Sequence, residues 1–314
     1  MSNLIFSLNI VFPIFVLIII GYFLKHRGLL TPEFRSKATT LVFNYALPCS
    51  LFRSVAASDM KSGFSPSYVG FLLTSSIGIF FLSWLLTVLF IKDRTQISAT
   101  VHGAYRGNFA YVGLAILQNL LDTANLKCAV LVIAFVVPLY NILAIFILSR
   151  YGNSGRKLGL KEQVLAIIRN PLIIAILLGI PFSVLGISFP VMIDKSLSYM
   201  AQLATPLALL LIGATLEPST FRKKPGGIIL GTVVKIVIAP IICTLIALAI
   251  GYRNEELATV FVLHAVPSAV NCYIMTEKMG GDAELGAGIV MASSLLSVIT
   301  MTVGIFLLKT CNLL

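Results

Sequence analysis

Apolar runs of about twenty residues follow one another from Leu4 to Leu308, and the connections between them are too short to fold alone. Each run matches the roughly 30 Å hydrocarbon core of a bilayer. The runs are continuous and do not alternate, which argues against a membrane β-barrel. Ten segments can be drawn, at about 4–24, 36–57, 67–91, 96–120, 126–149, 163–186, 190–215, 226–251, 257–276 and 284–308. Only 11% of the residues are charged, against roughly 25% in a soluble domain. The expected fold class is therefore an all-α polytopic membrane protein with ten transmembrane helices. The run from Leu4 to Leu24 has no basic stretch before it and no small-residue cleavage site after it. It reads as a spanning helix and not as a signal peptide.

The formal net charge is +11. The basic residues gather in short loops, so the positive-inside rule accounts for the excess and nucleic-acid binding does not. With the N-terminus outside, fifteen Lys and Arg lie on the inner side and six on the outer, while Arg106 and Lys235 fall inside segments. That distribution predicts a multi-pass protein of the cytoplasmic (inner) membrane, with both termini outside. The cysteines Cys49, Cys128, Cys243, Cys272 and Cys311 are scattered and contain no C-x-x-C pair. No disulfide framework, metal site or resident cofactor is expected.

The two halves of the chain resemble each other. Pro13 and Pro171, Gly21 and Gly179, and Pro48 and Pro206 are each 158 residues apart. Ala99–Val101 recurs at Ala258–Val260 with an offset of 159, and Ile145–Leu148 returns at Ile305–Leu308 with an offset of 160. An offset of five segments inverts the second copy in the membrane. Inverted repeats characterise many secondary transporters, whose substrate sites lie near the midplane at discontinuous helices. The expected organisation is a first five-helix repeat over residues 1–150, a cytoplasmic linker over 151–162 and a second, inverted repeat over 163–314.

Segments four and nine are poor helices. Segment nine carries Pro267, Ser268 and Asn271 in its middle, and segment four carries Gly103, Arg106, Gly107, Asn108 and Gly113. An offset of 159 aligns Asn108 with Pro267. Proline removes a donor and clashes with the turn before it. Freed backbone groups at membrane depth persist only where protein or a water-filled cavity satisfies them. Two such breaks in opposed repeats should cross near the midplane. Half-helix N-termini there favour an anion, and the Asn108 and Asn271 amides can both donate and accept. A packing kink is the plainer reading of any single proline, as at Pro13, Pro48, Pro138, Pro206 and Pro240.

All twelve acidic residues lie near segment ends or in loops, Glu217 among them. Arg106 and Lys235 are central, and intramembrane cations are costly enough to be functional candidates. Two cations without a central carboxylate suit an anion. A cation–proton antiporter would need a midplane acid. For Lys235 the alternative is snorkelling to the cytoplasmic side; for Arg106 it is capping half-helix carbonyls. His102 and His264 lie in the broken segments and could carry a coupling proton, although packing histidines are the commoner case.

The stretches Asn44–Phe52 (NYALPCSLF), Arg106–Leu114 (RGNFAYVGL) and Val266–Lys278 (VPSAVNCYIMTEK) resemble the auxin efflux carrier family of membrane transporters, in its bacterial branch. The resemblance covers essentially the whole chain. It implies two inverted five-helix repeats in which helices four and nine are broken and cross. It further implies a scaffold part from helices 1, 2, 6 and 7, including Asn44 and Pro48, and a transport part from helices 3–5 and 8–10 that moves as an elevator. Family members often carry a proline soon after the segment-four glycine, where this chain has Ala115. The break would then rest on Gly107, Asn108 and Gly113.

The expected function is secondary transport of a small organic anion, coupled to a proton or sodium gradient or to membrane potential. The expected binding residues are Arg106, Gly107, Asn108, Pro267, Ser268 and Asn271, with Lys235, His102 and His264 as coupling candidates. The alternatives are a sodium-coupled symporter of a larger amphipathic anion and a non-transporting membrane sensor. An enzyme is disfavoured because H-E-x-x-H, G-x-S-x-G and P-loop motifs are absent. The expected partners are the anion and the bilayer; a homodimer is compatible with the sequence and not fixed by it.

Overall fold

The structure is a computed structural model that describes residues 2–56, 65–121, 127–151, 169, 171–187, 189–215, 224–269 and 271–314. The expected linker beyond Tyr151 and the helix-end Glu217 lie outside the described residues. Among the described residues the regular structure is helical apart from one isolated β-bridge.

The helices run in chain order as α1 (Ser2–His26), α2 (Pro32–Leu41), α3 (Leu47–Ala56), α4 (Pro66–Phe90) and α5 (Arg94–Tyr105). Then come α6 (Phe109–Leu120), α7 (Lys127–Tyr151), α8 (Pro171–Leu185), α9 (Val191–Gln202) and α10 (Ala204–Thr215). The last are α11 (Pro225–Ile250), α12 (Asn254–Ala265), α13 (Asn271–Lys278) and α14 (Ala283–Thr310). Among the described residues five stretches are long and apolar enough to cross a bilayer: Pro66–Phe90, Lys127–Tyr151, Val191–Ala214, Pro225–Ile250 and Ala283–Thr310. Segment two starts earlier than its apolar pattern suggests. Thr31 caps it, its hydroxyl accepting from the Phe34 N–H at 3.2 Å with Pro32 at the first helical position.

Three of the in-helix prolines share a local pattern. The π-helical turns Val42–Ala46, Val132–Val136 and Val234–Ile238 each end two residues before a proline, Pro48, Pro138 and Pro240 respectively. Proline leaves an upstream carbonyl without its donor and its ring presses on the preceding turn. Widening that turn by one residue relieves the clash and keeps the helix continuous. These three prolines therefore bend helices, whereas Pro267 ends one.

α3 packs between α8 and α9, and α1 packs along α10. α5 is enclosed by α4, α7, α11 and α14. Arg53 of α3 forms a two-pronged pair with Asp194 of α9, Nε to Oδ1 at 2.9 Å and Nη2 to Oδ2 at 3.1 Å. Lys224, just before α11, pairs with Asp282 at the N-cap of α14. The α1–α10 contact depends on two glycines. A Cβ on Gly21 would overlap the Leu210 carbonyl, and one on Gly213 would overlap the Ile18 carbonyl. Without a hydrophobic force between helices in lipid, such close backbone approach supplies the packing.

Gly213→Ala should separate α1 from α10 and cost about 1–3 kcal/mol, read as a lower melting temperature of the detergent-solubilised protein. Gly78→Ala, where a Cβ meets nothing within 4 Å, should leave the melting temperature within about 1 °C.

Candidate functional site at two crossed helix breaks

Segment four ends its first half at Tyr105, and segment nine ends its first half at Ala265. The next residues turn extended: Arg106 has φ −86° and ψ 109°, and Val266 has φ −57° and ψ 147°. The two extended pieces meet as an antiparallel bridge between Gly107 and Ser268. The Asn108 N–H donates to the Pro267 carbonyl at 2.8 Å, and the Ala269 N–H donates to the Arg106 carbonyl at 3.1 Å. Helix then resumes at Phe109 in α6 and at Asn271 in α13. The aligned pair expected from sequence, Asn108 with Pro267, is in contact. The residues directly opposed are Gly107 and Ser268.

Glycine is needed at 107 for space. A Cβ there would lie 2.7 Å from Val266 Cγ2, 2.9 Å from Lys235 Nζ and 3.0 Å from the Leu263 carbonyl oxygen. Gly113 plays no part in the break. It sits in the π-helical turn Phe109–Gly113, and Ala115 follows it in regular, buried helix. The break in segment four is thus set by Arg106 to Asn108 and needs no later proline.

The groups freed by the breaks find partners. The Ser268 hydroxyl donates to the Gly103 carbonyl at 2.5 Å, and its N–H donates to Ser293 Oγ of α14 at 3.0 Å. The Cys272 thiol points to the His102 carbonyl at 3.5 Å. At the end of α12, the Lys235 ammonium donates to the His264 carbonyl at 2.8 Å and to the Leu263 carbonyl at 3.4 Å. Lys235 does not snorkel. It is fully buried, and the π-helical turn before Pro240 carries it. The carbonyl-capping role considered for Arg106 belongs to Lys235.

Arg106 instead turns its guanidinium towards α7 and α13. Nη2 donates to Asn141 Oδ1 at 2.8 Å, and Nη1 lies 3.1 Å from Met275 Sδ and 3.5 Å from His102 Nε2. Arg106 is 5% exposed. Among the described residues no acidic side chain pairs with it. Asn141 and Met275 were not singled out by sequence. Asn141 lies three residues after Pro138 in an otherwise apolar helix, and that was the available signal.

The two histidines differ. Thr276 Oγ1 donates to the Cys272 carbonyl at 2.6 Å, so at 3.4 Å it accepts from His102 Nδ1–H, while His102 Nε2 faces the Arg106 donor. His102 is thereby fixed as a neutral ring with both nitrogens engaged. In His264, Nε2 lies 3.3 Å from Ser75 Oγ, which donates to the Leu72 carbonyl at 3.1 Å. His264 Nδ1 is buried without a hydrogen-bond partner among the described residues.

Asn108 is buried beside the bridge, and Asn271 is half-buried at the start of α13. Asn44, in the π-helical turn Val42–Ala46, is exposed and Pro48, in α3, is half-buried, and that turn and α3 pack with α8, α9 and α10. A separate groove of about 480 Å³ lies between α11, α12 and α14 and is lined by apolar side chains such as Ile241, Leu245, Ile299 and Val303. It offers an anion no cation and is distinct from the crossing.

Comparison with known proteins places this geometry in a family. The profile described as "Membrane transport protein" matches residues 6–305. The chain belongs to the auxin efflux carrier family of membrane transport proteins. It is a multi-pass membrane protein, similar over 96% of its length to transporters. The "Uncharacterized transporter YfdV" of Escherichia coli (strain K12) is 24% identical over 307 residues, covering 96% of this chain and 97% of that one. The "Putative malonate transporter" of Rhizobium meliloti (strain 1021) is 28% identical over 321 residues, covering 96% of each chain. An "Uncharacterized transporter" of Methanothermobacter thermautotrophicus is 23% identical over 299 residues, covering 94% of this chain and 96% of that one.

Gly107→Ala should push the bridge apart and lower the melting temperature by several degrees, a shift of about 1–3 kcal/mol. Gly70→Ala, where a Cβ meets nothing within 4 Å, is the matched control and should be near neutral.

Proposed function

We propose that this protein is a secondary carrier of small organic anions of the carboxylate class, with its site at the crossing of the two broken helices. The observation that carries the reading is Arg106, a buried guanidinium at the break with no acidic partner among the described residues. A cation left in low dielectric without a counter-charge is costly, and a carboxylate offers the two oxygens a guanidinium fork binds best. α6 begins three residues after Arg106, and its N-terminus adds partial positive charge at the break. Asn108 lies two residues after Arg106, Ser268 opposes Gly107 in the bridge and Asn271 opens α13, so all three belong to the crossing. The name of the Rhizobium relative supports a dicarboxylate of malonate size.

The inverted repeat is part of the same reading. Gly21 lets α1 approach α10, and Gly179, 158 residues later, approaches α3 with its Cβ position 3.1 Å from the Phe52 carbonyl. Equivalent glycines thus serve equivalent contacts in the two halves. The two hydrogen bonds at the bridge are reciprocal, as a two-fold relation between the halves would require. In this scheme α1–α3 and α8–α10 form the scaffold, and the remaining helices move against it as an elevator in the inner membrane, with both termini outside. His264, with its free Nδ1, is the place for a coupling proton, since both nitrogens of His102 are engaged.

Purified protein in liposomes should accumulate labelled malonate down an imposed proton gradient. Arg106→Gln removes charge-assisted hydrogen bonds worth about 1.5–3 kcal/mol, so uptake at sub-saturating malonate should fall roughly 10–100-fold. Uptake equal to that of the unsubstituted protein would remove Arg106 from the site.

A further inference from the structure

The other buried cation has a different environment. Lys235 is 0% exposed and spends its ammonium on two backbone carbonyls, those of Leu263 and His264. They belong to the last turn of α12, the negative end of that half-helix. The matching end of α5 is closed by neutral donors, the Ser268 hydroxyl on the Gly103 carbonyl and the Cys272 thiol on the His102 carbonyl. Of the two broken ends, then, only that of α12 has a basic side chain on its carbonyls among the described residues. In carriers with discontinuous helices, carbonyls at such half-helix ends are where a coupling sodium ion is coordinated.

Three features build this end around an ammonium. The π-helical turn Val234–Ile238, which precedes Pro240, widens the helix at Lys235. The absent side chain of Gly107 leaves the space for Nζ, which would otherwise meet a Cβ at 2.9 Å. The four carbons of the lysine stem hold the charge on an apolar, fully buried path, so it cannot exchange with solvent cations. We propose that the Lys235 ammonium is a built-in cation at the break, filling the place a coupling sodium ion takes in related architectures, so that the carrier works without sodium. The proposal rests on the transporter reading for its functional meaning, and it assigns sodium no role in coupling.

The test begins with thermal unfolding of the purified full-length protein, which needs no known substrate. At matched ionic strength the melting temperature should be the same in sodium, potassium and choline chloride. Lys235→Arg should keep most of the stability. Lys235→Met, which keeps the stem and loses the charge, should melt several degrees lower. Lys235→Ala should regain at least ~2 °C in methylammonium chloride over choline chloride, because the vacated carbonyls accept a small cation. A lysine that only fills space would give no such cation-specific gain. The proposal is overturned by sodium-specific stabilisation of the unsubstituted protein, by a Lys235→Met protein as stable as the original, or by a Lys235→Ala protein indifferent to methylammonium. Should Lys235→Ala fail to fold, the sodium comparison and Lys235→Met still decide. In liposomes, malonate uptake should be unchanged when sodium is replaced by choline, and a sodium requirement would also overturn the proposal. No uptake in either salt, with the thermal results intact, would count against the carrier reading and leave the built-in cation standing.

Discussion

The structure depends on the cost of an unpaired backbone group away from water. A break in a membrane helix frees carbonyls and N–H groups, and each one left unpaired in hydrocarbon costs several kcal/mol. Here two breaks relieve each other. The Asn108 and Ala269 N–H groups bond to carbonyls across the crossing, and Ser268, Ser293 and Lys235 close other freed groups. Neither broken segment could adopt this conformation alone. The crossing is therefore a tertiary structure element and not a local one, and its neighbours α4, α7, α11 and α14 exist in part to enclose it.

The two central cations are used in opposite ways. Lys235 carries a compact charge on a flexible stem, suited to a pair of carbonyl oxygens. Arg106 carries a planar fork, of which one arm reaches Asn141 and another faces Met275 and His102. A thioether and a neutral imidazole do not neutralise a guanidinium. The ammonium of Lys235 is spread over a helix end, while among the described residues the guanidinium of Arg106 meets only neutral side chains.

Pro267 and three of the in-helix prolines meet opposite outcomes in the same molecule. Before Pro48, Pro138 and Pro240 the helix absorbs the missing donor as a five-residue π-helical turn and continues. At Pro267 no such turn forms, because the extended backbone from Val266 is captured by the opposing Arg106–Asn108 strand. The same residue bends or breaks a helix according to whether another backbone is available to pair with it.

Much of this was legible in the sequence. Apolar run length determined the membrane class, because bilayer thickness is a property of the solvent and not of the fold. Pro267 with Ser268 and Asn271, and Gly107 with Arg106 and Asn108, marked the two breaks, because backbone chemistry acts locally. Tertiary structure decided the rest. It opposed Gly107 to Ser268, one residue along each segment from the aligned pairing, and left Gly113 inside a helix. It sent Lys235 to the carbonyls of α12 and gave Arg106 its neighbours Asn141 and Met275. These outcomes depend on which helices enclose the crossing. A sequence read one segment at a time determines where the backbone must break, and only the packed helices decide which side chain satisfies it and which charge is left over.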